Sequence, residues 1–316
     1  MNNDGDMKNI IKTILLFTCI LFFPDCTGEK PDATPPRVEV SFSALSLKSD
    51  SDINAVSLLV FRSDGSLDAF VHREGHSLTA SLLKGETLRY YLLANAPESL
   101  MRSVADEQTL NSLSVGLPLN ERHSLVMLGK GEGSFDAPRV EHVTLDRLVC
   151  KVSLGNLIAS FAGAGYLQGA RVVLDRVYLL NVTGGVTLDL SPSAEKIYNV
   201  GVRDTSLPAA LADLLDHESG IPLDSPSAVS LDLQFYCCPN PSEDTRLVLE
   251  LSIGGEKNYY PLTLPAMECN KEYRAETVEL LSWGSASPDM PVDRKSVDFE
   301  VKVADWGVSD DEYVLN

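Results

Sequence analysis

Five histidines could act as general bases or metal ligands: His72, His76, His123, His142 and His217. Only His72 and His76 lie close together. A spacing of four puts both on one face of an unbroken strand, as a two-ligand metal patch would need, and exposed histidines beside a turn are the plainer reading. No His-Glu-x-x-His, Cys-x-x-Cys, Gly-x-Ser-x-Gly or phosphate-loop spacing is present. Gly129-Lys-Gly-Glu-Gly and Gly163-Ala-Gly-Tyr-Leu-Gln-Gly look superficially like nucleotide loops. Neither follows a strand and opens a helix in a parallel βαβ unit, so both are read as ordinary loops. Asp310-Asp311-Glu312 and Glu243-Asp244 do not alternate oxygen ligands through a tight loop with a later bidentate Glu, as calcium requires, and read as solvated acidic loops. The expectation is therefore no catalytic residue, no cofactor and no metal. Trp283, Trp306 and the Tyr259-Tyr260 pair could stack on sugar rings, and strand-edge or core aromatics account for them as well.

The sharpest chemical feature is near the start. Met7 to Cys26 carries two lysines, then an apolar stretch from Thr13 to Phe23, then a cysteine just before the chain turns polar at Thr27-Gly28-Glu29-Lys30. This is the layout of a bacterial lipoprotein signal beginning at Met7, and it makes Cys26 the lipid-bearing first residue of the processed chain. Pro24 and Asp25 stand where small residues usually precede that cysteine, which leaves an ordinary secretory cut nearby as the alternative. The apolar stretch falls short of the ~20 residues a membrane helix takes.

Composition narrows the class further. With 45 acidic and 26 basic residues, the chain is repelled by phosphate backbones and anionic headgroups, so no nucleic acid is expected as a partner. Besides Cys26, the processed chain holds Cys150, Cys237, Cys238 and Cys269. Adjacent strand residues point to opposite faces, so Cys237 and Cys238 are poor partners for each other. Cys238 with Cys269 is a pairing the spacing permits, and four buried thiols acting as small hydrophobes is the plainer reading.

The elements that must hold these residues are mainly strands. Gly28 to Pro36, with Pro31, Pro35 and Pro36, is polar and reads as a tether. From Val38 the period is mostly two: Val38-Glu-Val-Ser-Phe alternates cleanly, and so does the second half of Arg171 to Leu180. Val56 to Phe61 and Leu67 to Val71 flank Asp64-Gly65, a hairpin turn signal, and Leu247 to Ile253, Gly254-Gly255 and Asn258 to Leu264 repeat the pattern. Leu88 to Ala94 reads as a buried strand. Helical signals are confined to Pro97 to Leu110 and Pro208 to His217. Many short strands with few helices imply sandwiches, two of them at about 100 to 200 residues each in a chain of 316.

The order of several segments carries a resemblance to the fimbrillin and fimbrial-anchor superfamily of the type V pili of Bacteroidia-type bacteria. These are Ser57 to Leu67, Tyr91-Leu-Leu-Ala-Asn-Ala-Pro, Met127-Leu-Gly-Lys-Gly and Leu145-Asp-Arg-Leu-Val-Cys-Lys-Val. The tail segments are Tyr273 to Leu280, Ser285-Ala-Ser-Pro-Asp-Met-Pro-Val and Val301-Lys-Val-Ala-Asp-Trp. The resemblance implies an all-β protein of two tandem transthyretin-like β-sandwiches with few short helices. The expected division is a signal over 1–25, a lipidated tether over 26–37, and sandwiches over 38–143 and 144–316. It implies a non-enzymatic surface lipoprotein of the outer membrane and fimbrium, whose partners are other fimbrial subunits, the membrane through the N-terminal lipid, and a host or bacterial surface ligand.

In polymerising members of the superfamily an arginine-specific protease removes the lipidated segment with a first strand, and a neighbour's C-terminal strand fills the groove. Arg37 is the matching arginine here, and the residues placed to donate a strand are Tyr313, Val314 and Leu315. Cys26 to Pro36 is unlike a removable strand, so a cut at Arg37 would free the lipid without opening a groove. The sequence therefore leans to a lipid-retaining base or accessory subunit. A processed stalk or tip fimbrillin is the alternative, and a glycan-binding surface lipoprotein is the alternative from another class.

Overall fold

Alternation of apolar and polar residues becomes strand along most of the chain. The computed structural model describes residues 35–46, 52–161, 171–193, 196–197, 209–223, 225–293 and 295–307. Eight strands come first: β1 (Arg37–Ser46), β2 (Ala55–Phe61), β3 (Leu67–Glu74), β4 (Ser77–Leu83), β5 (Thr87–Ala94), β6 (Ser114–Gly116), β7 (Met127–Ser134) and β8 (Arg139–Arg147). All but β6 form a seven-stranded sheet in the order β3-β2-β5-β7-β8-β1-β4. β7 and β8 pair only at Met127 with Arg147 and Leu128 with Asp146. The sheet folds over at that corner into two layers, and the inward residues of both layers make one core around Phe42, Leu58, Leu82, Leu88 and Leu92.

β2 is an apolar run rather than an alternation because both its faces are covered. Its other face, with Leu59 and Phe61, packs on two short helices, α1 (Glu98–Arg102) and α2 (Glu107–Ser112), through Met101, Val104 and Leu110. The helical pattern read over Pro97 to Leu110 is thus two pieces. Ser103 closes the first, and Asp106, extended at φ −150°, accepts the Thr109 amide at 2.7 Å as the cap of the second. Glu107 docks α2 to the sheet: it accepts from Arg89 Nε at 2.7 Å and from the Tyr91 hydroxyl at 2.9 Å.

The second group comprises β9 (Cys150–Ala159), β10 (Val172–Leu180), β11 (Val182–Thr183), β12 (Gly185–Thr187), β13 (Lys196–Ile197), β14 (Asp216–Pro222), β15 (Val229–Cys237), β16 (Arg246–Ile253), β17 (Glu256–Thr263), β18 (Lys271–Leu280) and β19 (Val297–Asp305), with the helix α3 (Ala209–Leu215) before β14. Two four-stranded sheets, β14-β10-β16-β17 and β15-β9-β18-β19, enclose a core that includes Leu154, Leu174, Phe235, Leu249, Tyr260 and Tyr273. The fold is all-β, two sandwiches with a few short helices. Leu148-Val149 crosses from one to the other. The hairpins follow their turn residues: Gly65 at φ +84° ends the β2–β3 turn, and Gly254 and Gly255 at +60° and +91° supply both left-handed positions between β16 and β17.

Gly129 to Gly133 is not a loop. It lies in β7, paired with β5 along its length. The glycines are there for clearance: a Cβ on Gly129 would sit 2.5 Å from the Thr144 carbonyl oxygen, and one on Gly131 would run into the Tyr90 hydroxyl. Gly163 to Gly169 lies outside the described residues.

The two sandwiches are joined by backbone as well as by side chains. β6 pairs antiparallel with β12, Val115 opposite Val186. Arg122, from the loop before β7, reaches Asp213 of α3 and donates to the Gln234 carbonyl oxygen at 3.1 Å. Its guanidinium lies over Tyr236, which stacks on Trp306 at 5.4 Å, and Arg147 lies over the Trp306 ring at 4.4 Å. Two arginines from the first sandwich therefore pack on an aromatic stack in the second.

Two outcomes are expected. Gly129→Ala should destabilise the protein by about 1–3 kcal/mol in urea denaturation, because the clash is with backbone that cannot swing away. The Glu107 carboxyl is held below its ordinary value, first by the Arg89 hydrogen bond and also by the Tyr91 hydroxyl, against an opposing effect of burial. A depressed carboxyl contributes stability above the ordinary carboxylate range and loses it as pH falls through the lowered value. Glu107→Gln should therefore flatten that part of the acid-unfolding curve.

Candidate functional site

The functional question turns on the first strand. Along β1 the inward residues Val38, Val40, Phe42 and Ala44 are buried, while Arg37, Glu39 and Leu45 face out. β1 is paired on both edges, antiparallel to β4 from Arg37 opposite Leu83, and parallel to β8 from Val40 opposite Arg139. Phe42 fills the middle of the core, edge-on to Tyr90 at 5.2 Å and beside Phe135 at 6.2 Å. Each fully buried Val or Phe side chain of this kind contributes about 1.5–3 kcal/mol. β1 is thus an internal strand, and taking it out would expose an apolar trough and two rows of unpaired backbone groups.

Arg37 begins this strand and is tied down. Its Nη1 and Nη2 reach the two carboxylate oxygens of Asp68 at 3.2 and 3.0 Å, and Nη2 also donates to the Ser81 carbonyl oxygen at 2.6 Å. The Asp68 side chain has no solvent exposure, and it accepts further from the Leu83 amide at 3.1 Å and from Arg62 at 3.5 Å. Asp68 belongs to β3 and Leu83 to β4, the two outer strands of the seven-stranded sheet. One carboxylate therefore bridges the sheet's outer strands, and Arg37 fastens the start of β1 to that bridge.

Cys26 and the Tyr313, Val314, Leu315 segment lie outside the described residues. His72 lies in β3, with Nδ1 at 2.8 Å from the Ser57 hydroxyl, whereas His76 lies in the turn after it, so the two do not share a strand face. Among the described residues no group of three His, Cys, Asp or Glu side chains could hold a metal ion. Trp306 and Tyr260 are buried, and the Tyr260 hydroxyl donates to the Ser282 carbonyl oxygen at 2.6 Å. Tyr259 is half-buried, and Trp283 is the exposed ring of the four, at 39%. Two of the four rings are thus closed to a sugar, and Trp283 with part of Tyr259 stays at the surface.

The role of Asp68 was not readable in the sequence. It is one carboxylate among 45 acidic residues, and of its partners only Arg62 is near, six residues back, while Arg37 and Leu83 lie 31 and 15 residues away. The only local signal is its place at the start of a strand, where a carboxylate has no obvious reason to be buried.

No protein-family model and no curated protein sequence matches the chain. Solved structures do. A candidate cell adhesion protein from Bacteroides eggerthii superposes with a TM-score of 0.64 at 18% identity, over 88% of this chain and 98% of that one. A fimbrilin from Porphyromonas gingivalis superposes with 0.61 at 12% identity, over 85% and 97%. The tip fimbrial protein Mfa3 of the same organism, truncated at its C-terminus, gives 0.52 at 14%, over 86% and 100%. At these identities the likeness is one of fold, and it extends across both sandwiches.

Asp68→Ala should lower the stability of the protein by about 2–4 kcal/mol, since it leaves two guanidiniums and a strand-end amide without their shared acceptor. Arg37→Ala should cost less, and the double variant should cost less than the two single effects added. An arginine-specific protease acting on the native chain should spare the Arg37–Val38 bond and cleave it faster in Asp68→Ala. Both readouts come from one set of purified variants, by denaturation and by mass mapping of the digest.

Proposed function

We propose that this chain is a non-enzymatic fimbrial subunit, held at the outer membrane by an acylated Cys26 and assembling there with other fimbrial subunits as a base or accessory component. What supports the fimbrial part is the sharing of a two-sandwich fold, over 85–88% of the chain, with fimbrial and adhesion proteins. What supports the retained lipid is the condition of β1. A protease needs several residues of extended chain free of their sheet, and Arg37 offers instead a strand start paired with Leu83 and a guanidinium held by a buried carboxylate.

A subunit left uncut at Arg37 and before it keeps the lipid on Cys26. It can then act as a fixed point on the membrane from which other subunits extend. The tether from Gly28 to Pro36 is polar and proline-rich, suited to holding a folded body a short way off a surface. The strong excess of acidic residues keeps that body away from anionic headgroups. Burial of Trp306 and Tyr260 counts against the glycan-platform reading, which is left with Trp283 and Tyr259.

The test is the mature N-terminus, determined by mass spectrometry on protein recovered separately from outer membranes and from sheared surface filaments. The expected result is an acylated Cys26 with the Arg37–Val38 bond intact, confined to the membrane fraction. A chain beginning at Val38 in the filament fraction would make this a processed stalk or tip subunit instead.

A further inference from the structure

Two cysteines face each other across a ladder rung deep in the second sandwich. Cys150 opens β9 and Cys237 closes β15, and the antiparallel register sets them directly opposite. Neither has any solvent exposure. The Cys150 thiol donates to the Cys237 carbonyl oxygen at 3.3 Å. Burial first, and contact with the Cys237 side chain second, push the Cys150 thiol well above its ordinary value.

The other two thiols are placed differently. Cys238 follows on the strand and so points to the other side of the sheet, its backbone bridged to Thr183. Cys269 lies before β18, with its thiol on the Leu148 carbonyl oxygen at 3.4 Å. The register thus singles out one pair of the four, and it is not the Cys238–Cys269 pair that sequence spacing allows.

Opposed residues of an antiparallel pair hold their Cβ atoms about 4.5–5.5 Å apart. A disulfide takes Cβ atoms about 3.5–4.5 Å apart. Closing this rung therefore needs a shift of about 1 Å at the ends of two strands. We propose that Cys150 and Cys237 form a disulfide across the β9–β15 rung. The two thiols give up two protons and two electrons and one S–S bond forms, while the disulfide of the oxidant, a small-molecule or protein disulfide, is reduced to two thiols. Because the folded core encloses both sulfurs, the bond closes while the second sandwich is folding.

The bond has a structural use. The β9–β15 ladder is interrupted between Ser230 and Leu233, where Asp232 takes φ +46°. A covalent rung at the far end, between residues 87 apart in sequence, fixes β15 to the strand that follows directly on the crossing between sandwiches. It also removes much of the freedom of the unfolded chain.

In cells the proposal rests on export to an oxidising compartment, so geometry and location are tested separately. The full chain, reduced and unfolded, is refolded in a buffer of reduced and oxidised glutathione, denatured with a thiol-alkylating reagent present, and mapped by mass spectrometry. The expected map links the Cys150 peptide to the Cys237 peptide and finds Cys238 and Cys269 alkylated. Reductant should lower the melting temperature by about 10 °C. The Cys150→Ala/Cys237→Ala variant should lose that response and melt near the reduced native chain. Full alkylation of Cys150 and Cys237, or a link from either of them to Cys238 or Cys269, would overturn the proposal. Free thiols at both positions in protein taken from cells, beside a correct link after refolding, would overturn export and leave the rung standing.

Discussion

Asp68 has its carboxylate wholly out of water, and everything around the first strand follows from how that charge is satisfied. A buried carboxylate is costly unless opposite charge and hydrogen-bond donors surround it. Here Arg37, Arg62 and the Leu83 amide do so, and they come from three separate places in the chain. Arg62 comes from the same hairpin, and the other two donors reach Asp68 where the end of β4 and the start of β1 lie beside β3. That closes the open seam of the seven-stranded sheet and sets the register in which Val38, Val40, Phe42 and Ala44 point inward. A slip of one residue would send all four outward and lift Arg37 away from its partner.

The same logic extends from the first sandwich to the second. A sandwich whose first strand is locked in place makes a firm support, and β8, paired along β1, leads straight through Leu148-Val149 into β9. The β6–β12 pairing and the Arg122–Tyr236–Trp306–Arg147 stack hold the two bodies in a fixed relation. Those contacts resist bending between the sandwiches.

Local signals carried the strands well. Val38 to Phe42, the Gly65 turn and the Gly254-Gly255 turn can each be read from a few neighbouring residues, because period-two burial and left-handed backbone leave their mark in residue type. Distant packing does not. Gly129 to Gly133 has the composition of a loop and becomes a strand because Tyr90 and β8 need the space that side chains would fill. The helix over Pro97 to Leu110 breaks where Asp106 turns to cap the second half, a competition that apolar spacing cannot register. The Asp68 seam and the Cys150–Cys237 rung depend on register between segments far apart in sequence. Of the four aromatics that sequence alone could place either at the surface or in the core, packing takes Trp306 and Tyr260 inward.

The claim most exposed to test is that β1 is an integral strand that leaves only when the first sandwich unfolds. Native-state hydrogen exchange, followed by mass spectrometry on the full chain, measures this directly. The account predicts that the amides from Val38 to Ala44 exchange together with those of β2 and β5, with the same dependence on denaturant. Exchange of β1 at low denaturant, well ahead of β2 and β5, would show a strand that detaches on its own, and would contradict the account.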